Sequence, residues 1–288
     1  MNVSIIIVNY NTKTLLKQCL KSVFDKTRDI TFEVIVVDNA STDGSQQMIR
    51  DEFQNVIFIE SLENMGFGRA NNLGAKSATG KYLMFLNSDT VLVNNAIKIL
   101  FDFIDKNPTV GICGGNLFDE NKNPVHSYSK LPCIMQEIKR LFLIPDTDYF
   151  NHTNKPKKVG YITGADLMIR ADIFNKLNGF DSDFFMYYEE SELTYRVKRE
   201  EYKVYNVPQA EIIHLEKKSF SENSRRLEMI FKSCNTYYKK THSRLYQIII
   251  TIILLMIIIS RLIIFSFLIN AKKINCWKSI LQTYINKN

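Results

Sequence analysis

Short apolar runs that each end in an amide or an acid constrain this chain most. Val3–Val8 runs into Asn9-Tyr10-Asn11, Glu33–Val37 into Asp38-Asn39, and Tyr82–Leu86 into Asn87-Ser88-Asp89. Between them lie stretches with helical spacing. In Thr12–Phe24, Leu15, Leu16, Cys19, Leu20 and Val23 fall on one face, and Ser41–Phe53 opens with Ser, Thr and Asp. A strand at Val56–Ile59, a helix near Phe67–Ala78, a helix near Val93–Lys106 and a strand at Val110–Cys113 continue the alternation. Strands that are apolar on both faces and alternate with helices predict an α/β fold, a mainly parallel sheet flanked by helices. Ligands of such sheets sit beyond the carboxyl ends of the strands, so the polar residues there are the first candidates for chemistry.

Helix capping explains any one of those strand ends, since Asp and Asn favour such positions. Three ends converging on one edge call for more than capping. Asp89 is placed to give a carboxylate oxygen to a hard divalent cation, which takes one or two protein carboxylates and completes its shell with substrate phosphates. Gly66-Phe67-Gly68-Arg69-Ala70-Asn71 lacks the third glycine of a dinucleotide fingerprint and does not follow the first strand, so that reading fails. Glycines beside Asn64, Asn71 and Asn72 still suit a backbone lying close to a ligand.

Residues 116–160 read as an irregular connection with one short helix around Ile134–Phe142. A strand at Ile162–Ile169, a helix at Glu189–Lys198, short strands at Val204–Tyr205 and Ile212–His214, and a helix at Arg225–Lys240 follow. Ile248–Ile269 is a 22-residue apolar run interrupted by Thr251, Ser260, Arg261 and Ser266. As a helix it reaches about 33 Å, enough to cross a hydrocarbon core of about 30 Å. Arg261 is off-centre and is expected to snorkel towards an interface. Trp277 beyond it reads as an interfacial anchor. A single span is the first reading of this run, and a helix lying in the interface or a re-entrant hairpin the second.

Charge sets the tail apart. The chain has 37 Lys+Arg against 30 Asp+Glu, but from Lys239 onward there are eight basic residues and no acidic one. Residues 1–238 are therefore close to neutral, which disfavours a nucleic-acid-binding body. Five scattered cysteines without a C-x-x-C pair argue against a zinc knuckle or a disulfide framework. Met1-Asn2-Val3 enters the first strand with no basic n-region, which predicts no secretory signal and a reducing, cytoplasmic setting.

Taken together, Ser4-Ile-Ile-Ile-Val-Asn-Tyr-Asn11, Val37-Asp38-Asn39-Ala-Ser-Thr-Asp-Gly44, Asn64-Met-Gly-Phe-Gly-Arg-Ala-Asn-Asn-Leu-Gly74 and Leu86-Asn-Ser-Asp89 resemble the family 2 glycosyltransferases. The bacterial rhamnosyltransferase-like subgroup is the most similar. The resemblance continues through Thr163-Gly-Ala165, Gly179–Glu190 and Ile213-His214, over about residues 3–240. It implies a GT-A fold, a nucleoside-diphosphate-sugar donor, a divalent metal (Mn2+ or Mg2+) and inversion at the anomeric carbon. By position, Asp38 resembles the residue that hydrogen-bonds the donor's base, and Asn9, Tyr10, Asn11 and Asn39 extend that substrate-binding set. Asn64, Gly66, Phe67, Gly68, Asn71 and Asn72 resemble a loop that closes over nucleotide and sugar. Asp89 takes the place of the last acid of the family's D-x-D metal motif. Asn87 replaces the first and is assigned to sugar or ribose, with Ser88, Gly164 and Ala165 also at the substrate. His214 resembles a histidine that supports the metal or the diphosphate.

An inverting transfer needs a base for the acceptor hydroxyl. Glu189-Glu190-Ser191-Glu192 opens a helix after an aromatic run, where acids also sit simply because of the helix dipole. The resemblance assigns the base to Glu190, with Glu189 as the alternative, and places Glu where the family has Asp at 190 and 192. Tyr187 and Tyr188 either shape the acceptor pocket or pack in the core. Arg225 and Arg226 face an acceptor phosphate, lipid headgroups or solvent. His126, His152 and His242 lack ligand-like spacing.

The expected organisation is thus a GT-A domain over 1–240, with a nucleotide half at about 1–115 and an acceptor half at about 116–240. Residues 241–288 follow as a basic-flanked membrane-attachment segment. The expected partners are the donor, a saccharide or lipid-linked acceptor, and the cytoplasmic face of the cell membrane. The rival reading is a catalytically silent nucleotide-sugar-binding membrane protein.

Overall fold

The computed structural model describes residues 1–215 and 224–285. The chain opens with β1 (Val3–Asn9), α1 (Lys13–Lys26), β2 (Phe32–Asp38), α2 (Ser45–Glu52), β3 (Val56–Glu60), α3 (Phe67–Ala75) and β4 (Tyr82–Asn87). β3, β2, β1 and β4 lie side by side and parallel. Register pairs Asn9 with Asp38 and Val8 with Asn87, so the three polar strand ends share one edge of the sheet.

The two faces of these strands explain why their sequence is continuously apolar. Ile5, Ile7, Val34, Val36, Met84 and Leu86 point into one core with Leu16 and Leu20 of α1. Ile6, Ile35, Leu83 and Phe85 point into a second core on the opposite face. Each strand residue thus has a buried partner on whichever side the pleat directs it.

Beyond β4 come β5 (Thr90–Leu92), α4 (Ala96–Lys106), β6 (Val110–Phe118), β7 (Tyr128–Ser129), α5 (Ile134–Leu141), β8 (Lys157–Lys158), β9 (Tyr161–Ile162), β10 (Asp166–Arg170), α6 (Ala171–Lys176), α7 (Glu189–Arg199) and β11 (Lys203–His214). Here the sheet departs from the parallel expectation. β10 enters antiparallel between β4 and β6, and β5 and β8 pair antiparallel with β11, so the full sheet is mixed. The expected strand Ile162–Ile169 is two strands. β9 pairs with β7 in a separate ribbon, and the chain breaks at Thr163-Gly164-Ala165 before β10. The two short strands expected at 204–205 and 212–214 are one twelve-residue strand, with a register shift around Pro208, which has no N–H to offer the ladder.

α8 (Ser224–Thr241), α9 (Arg244–Phe267) and α10 (Ala271–Ile285) complete the chain and pack with α5. α9 is long and apolar enough to cross a membrane, with a mean hydropathy of 3.1 in its most apolar window. Two expectations about this region change. Trp277 is 8% exposed and packs edge-on against Phe231 of α8, so it is a core residue. Arg261 does not snorkel. It is 8% exposed and donates from Nη2 to the carbonyl of Arg140 at 2.7 Å, at the C-terminal end of α5.

Candidate active site

The donor-side edge is built by side chains that bridge strand ends. Asn9 donates from Nδ2 to Asp38 Oδ1 at 2.8 Å and to Ser41 Oγ at 3.0 Å, and its carbonyl accepts from Thr12. Asp38 is 1% exposed and also accepts from the Ser41 amide and from Gln46. Both residues therefore fix the two turns that leave β1 and β2. Tyr10 stands at the same edge with its ring 47% exposed, available to lie against a flat ligand. Asn11, at φ 54°, accepts from the Thr42 amide and ties the turns to each other.

Asn39 is the clamp for the next loop. Its amide donates to Asn64 Oδ1 at 2.8 Å and its carbonyl accepts from the Met65 amide at 2.9 Å. Gly66 follows at φ +83°, where a Cβ would stand 2.1 Å from the Phe185 carbonyl oxygen. Only glycine permits that approach, and it lets the Phe67 amide donate to the same oxygen at 2.8 Å. Asn72 grips the backbone of Phe180 with both amide atoms, at 2.7 and 2.9 Å. Asn71 is 1% exposed and bonds within its helix to the Phe67 carbonyl. Asn71 and Asn72 thus position this loop, and Gly68 lies against the Cβ of Glu189. The loop expected to close over a donor is joined directly to the segment that carries the candidate base.

Asp89 and His214 meet because the short strand β5 lies antiparallel on β11, which pairs His214 with Thr90. Asp89 Oδ1 is 3.3 Å from His214 Nε2, and the side chains are only 8% and 11% exposed. Asn87 Nδ2 lies 3.5 Å from the same nitrogen, and Ser88 Oγ shares a hydrogen with Thr12. Two neighbouring ligands of one octahedral cation stand about 3 Å apart, so the pair has suitable spacing and chemistry, a hard carboxylate with an imidazole. Among the described residues no group of three or more His, Cys, Asp or Glu gathers as a complete metal site. Ala165 accepts from the Asn87 amide, and Gly164 lies against the Phe67 ring, which links this edge to the loop.

The acid pair opens α7 from an unusual approach. Tyr187 and Tyr188 both have positive φ, 71° and 70°. Two successive side-chain-bearing residues in the left-handed region are strained, and such strain persists where surroundings over-determine it. The turn they make buries Glu189, at 4% exposure, and leaves Glu190 facing a cleft of about 560 Å³. Oε2 of each carboxyl has no hydrogen-bond partner among the described residues. Burial pushes Glu190 up to about 7. Glu189 is raised well above the usual carboxylate range, first by burial and then by the charge of Glu190. Glu190 therefore ionises first and holds Glu189 protonated. Glu192 instead pairs with Arg196, which also donates to the carbonyls of Leu177 and Gly179 and anchors the helix.

The cleft contains residues that the sequence did not single out. Tyr161, Lys130, Lys139, Arg140, Leu143 and Ile144 line it together with Glu190. The signal was present in the pattern of Ile134–Ile144, where basic Lys139 and Arg140 precede four consecutive apolar residues. Tyr187 and Tyr188 also line it, and Tyr188 packs at the same time against Tyr237 of α8. Arg226 lies over the Tyr187 ring, at 5.8 Å.

Comparison with known proteins places this geometry in context. The family model described as Glycosyl transferase family 2 matches residues 4–177. N-acetylglucosaminyl-diphospho-decaprenol L-rhamnosyltransferase of Mycobacterium tuberculosis is 26% identical over 230 residues, covering 73% of this chain and 75% of its own length. Rhamnosyltransferase WbbL of Escherichia coli is 24% identical over 232 residues, covering 74% and 83% respectively. A low-salt glycan biosynthesis hexosyltransferase of Haloferax volcanii, Agl10, is 26% identical over 219 residues, covering 74% and 67%. Among solved structures, that of GalNAc-T7 with UDP, GalNAc and Mn2+ superposes with a TM-score of 0.60 at 18% identity. It covers 83% of this chain, which spans half the length of that protein, and shows a shared fold.

Proposed function

The chain belongs to glycosyl transferase family 2, and from that premise we propose that it transfers a sugar, with inversion, from a nucleoside-diphosphate donor to a hydroxyl of a cell-surface saccharide or lipid-linked acceptor. The observation that carries this reading is Glu190. It is a carboxyl raised to about 7, with one oxygen unpartnered, facing a cleft beside the loop that closes the donor edge. A base with a pKa near the working pH combines an adequate ionised fraction with a strong pull on the proton.

In the transfer, the Glu190 carboxylate takes the acceptor hydroxyl's proton as that hydroxyl oxygen bonds to the anomeric carbon. The bond from that carbon to the diphosphate breaks on the opposite face. Tyr10 and the loop from Asn64 to Phe67 hold the nucleotide and sugar, and Asp38 and Asn39 fix the turns that carry them. Asp89 and His214 would hold a divalent cation, Mn2+ or Mg2+, whose chemistry is to neutralise charge on the leaving diphosphate. With Asn87 in place of an acid, Asp89 and His214 would leave most of such a cation's shell to ligands from outside the protein. The rhamnosyl relatives make dTDP-rhamnose the first donor to test, ahead of UDP-galactose, UDP-glucose and UDP-N-acetylglucosamine.

The enzyme works at the cytoplasmic face of the membrane, held there by its C-terminal helices, which confines it to the plane of a lipid-linked acceptor. Thermal unfolding with UDP, dTDP and GDP, with and without Mn2+, tests the donor side. A ligand at 100 times its dissociation constant adds about 2.7 kcal/mol. Metal-dependent stabilisation by one diphosphate, abolished in Asp89→Ala, is expected. No response to any of them would refute the transferase reading. Donor binding without turnover, unchanged by Glu190→Gln, would favour a silent binding protein instead.

A further inference from the structure

The apolar run that reads as a membrane span is, in the fold, one helix of a bundle. Ile250, Leu254, Ile257 and Ile258 of α9 pack into the core shared with α5, α8 and α10. The opposite face is bare. Leu245, Ile248, Ile252, Met256, Ile259 and Ile263 are each at least 48% exposed and recur every three or four residues as a single stripe. Arg261 pins the end of α5 beside the C-terminal half of this helix. The exposed Phe142, Leu143 and Ile144 directly follow that pinned end, and the exposed Phe267, Leu268 and Ile269 stand at the end of α9.

The flanking helices decide how such a face can meet a bilayer. α8 and α10 join α9 through residues 242–243 and 268–270, so both run back along it. Lys232 and Lys278 therefore come level with the middle of α9, and both are exposed. If α9 crossed the membrane, these lysines would lie in the hydrocarbon centre, where Lys is among the least favourable residues. If α9 lies in the plane, its stripe enters the acyl boundary while the lysines stay in the headgroup region or water. A second copy is the other candidate cover for the stripe. Charge opposes it, since eight basic residues and no acidic one follow from Lys239 onward. Two such faces repel each other, and an anionic leaflet attracts them.

We infer that α9 lies flat in a single leaflet and does not cross the bilayer, with the Phe142–Ile144 tip dipping beside it. The cleft of Glu190, which Lys139, Arg140, Leu143 and Ile144 also line, then opens at headgroup level. Resting on the transferase reading, an acceptor anchored in that leaflet reaches Glu190 without leaving the membrane plane.

Cysteine labelling at the two ends of α9 tests the topology. Arg244→Cys and Lys272→Cys are made separately in the full chain carrying Cys133→Ser and Cys276→Ser. Each is treated with a membrane-impermeant maleimide in intact and in lysed spheroplasts. The inference expects both positions to behave alike, protected before lysis and labelled after it. Labelling of one position only in intact spheroplasts means that α9 crosses, and overturns the inference.

Flotation of the purified full chain on phosphatidylcholine vesicles, with and without phosphatidylglycerol, tests the occupant. Ile252→Glu with Ile263→Glu should cut the bound fraction at least tenfold at unchanged melting temperature. Undiminished binding overturns the inference. So does loss of a dimer in solution with binding retained, because it assigns the stripe to a second copy. The donor-dependent unfolding scan is independent of both measurements, so its failure alongside a flat α9 removes only the transferase reading.

Discussion

Replacing Glu190 by Gln separates the carboxyl's chemistry from its packing, because the two side chains have nearly the same shape. Burial raises the Glu190 carboxyl from 4.5 to about 7. One unit corresponds to 1.36 kcal/mol, which gives about 3 kcal/mol for the shift, and the contact with the open cleft trims it to about 2 kcal/mol. The folded state holds this proton more tightly than the unfolded chain. Its contribution to stability is therefore complete below about pH 4.5 and lost as the pH rises through about 7. Glu190→Gln has no such proton to lose. Its melting temperature should match the wild type at pH 4.5 and exceed it above pH 7.5 by roughly 4 °C, at about 2 °C per kcal/mol for a chain of this size. Turnover should fall by about 10²–10⁴-fold, the usual contribution of a general base. In the wild type, kcat/KM should rise with pH and level off above about 7. Thermal melts across pH 4.5–8.5 and initial rates with the identified donor measure both effects. A variant that keeps more than a tenth of the turnover refutes the base assignment, and parallel melting curves refute the burial argument.

Three further outcomes follow from the same geometry. Asp89→Ala should abolish the metal-dependent part of nucleoside-diphosphate stabilisation, and His214→Ala should weaken it, both read as the shift in melting temperature with and without Mn2+. Gly66→Ala places a Cβ 2.1 Å from the Phe185 carbonyl oxygen at φ +83°. It should cost at least about 2 kcal/mol in a urea titration, from left-handed strain and the displaced contact, and should raise the donor KM. Arg261→Met removes the donors to the carbonyls of Arg140 and Leu141 and should cost about 1–3 kcal/mol. Faster proteolytic nicking between residues 140 and 146 is the expected readout, and unchanged nicking would show that Arg261 does not hold the tip.

A carboxyl left unpaired in a buried setting opposes folding, and so does a pair of left-handed tyrosines in front of it. Their coincidence at the start of α7 is a local cost to stability of the kind the proposed catalytic role would account for. The same logic applies to the donor edge. There the polar residues are well bonded, because they must hold three strand ends and a loop in fixed relation.

The sequence by itself determined the α/β half of this protein and most of its candidate site. Continuous apolar runs such as Val3–Val8 can be satisfied only by a sheet covered on both faces, and the Asn and Asp that end them had to share one edge once those strands lay parallel. The motifs around Asp38, Asn64, Asp89 and Glu190 were legible for the same local reason. Long-range pairing was not. The three residues of β5 have no pattern of their own, yet their antiparallel seat on β11 brings Asp89 to His214. α5 is too short for periodicity to reveal what it faces, and only packing against α9 shows Lys139, Arg140 and Leu143 in one cleft with Glu190. Hydropathy measured how apolar α9 is, but which of its faces is buried and which is exposed depends on the helices folded back against it. Those neighbours are set by tertiary contacts between segments far apart in the chain, a quantity no window of sequence contains.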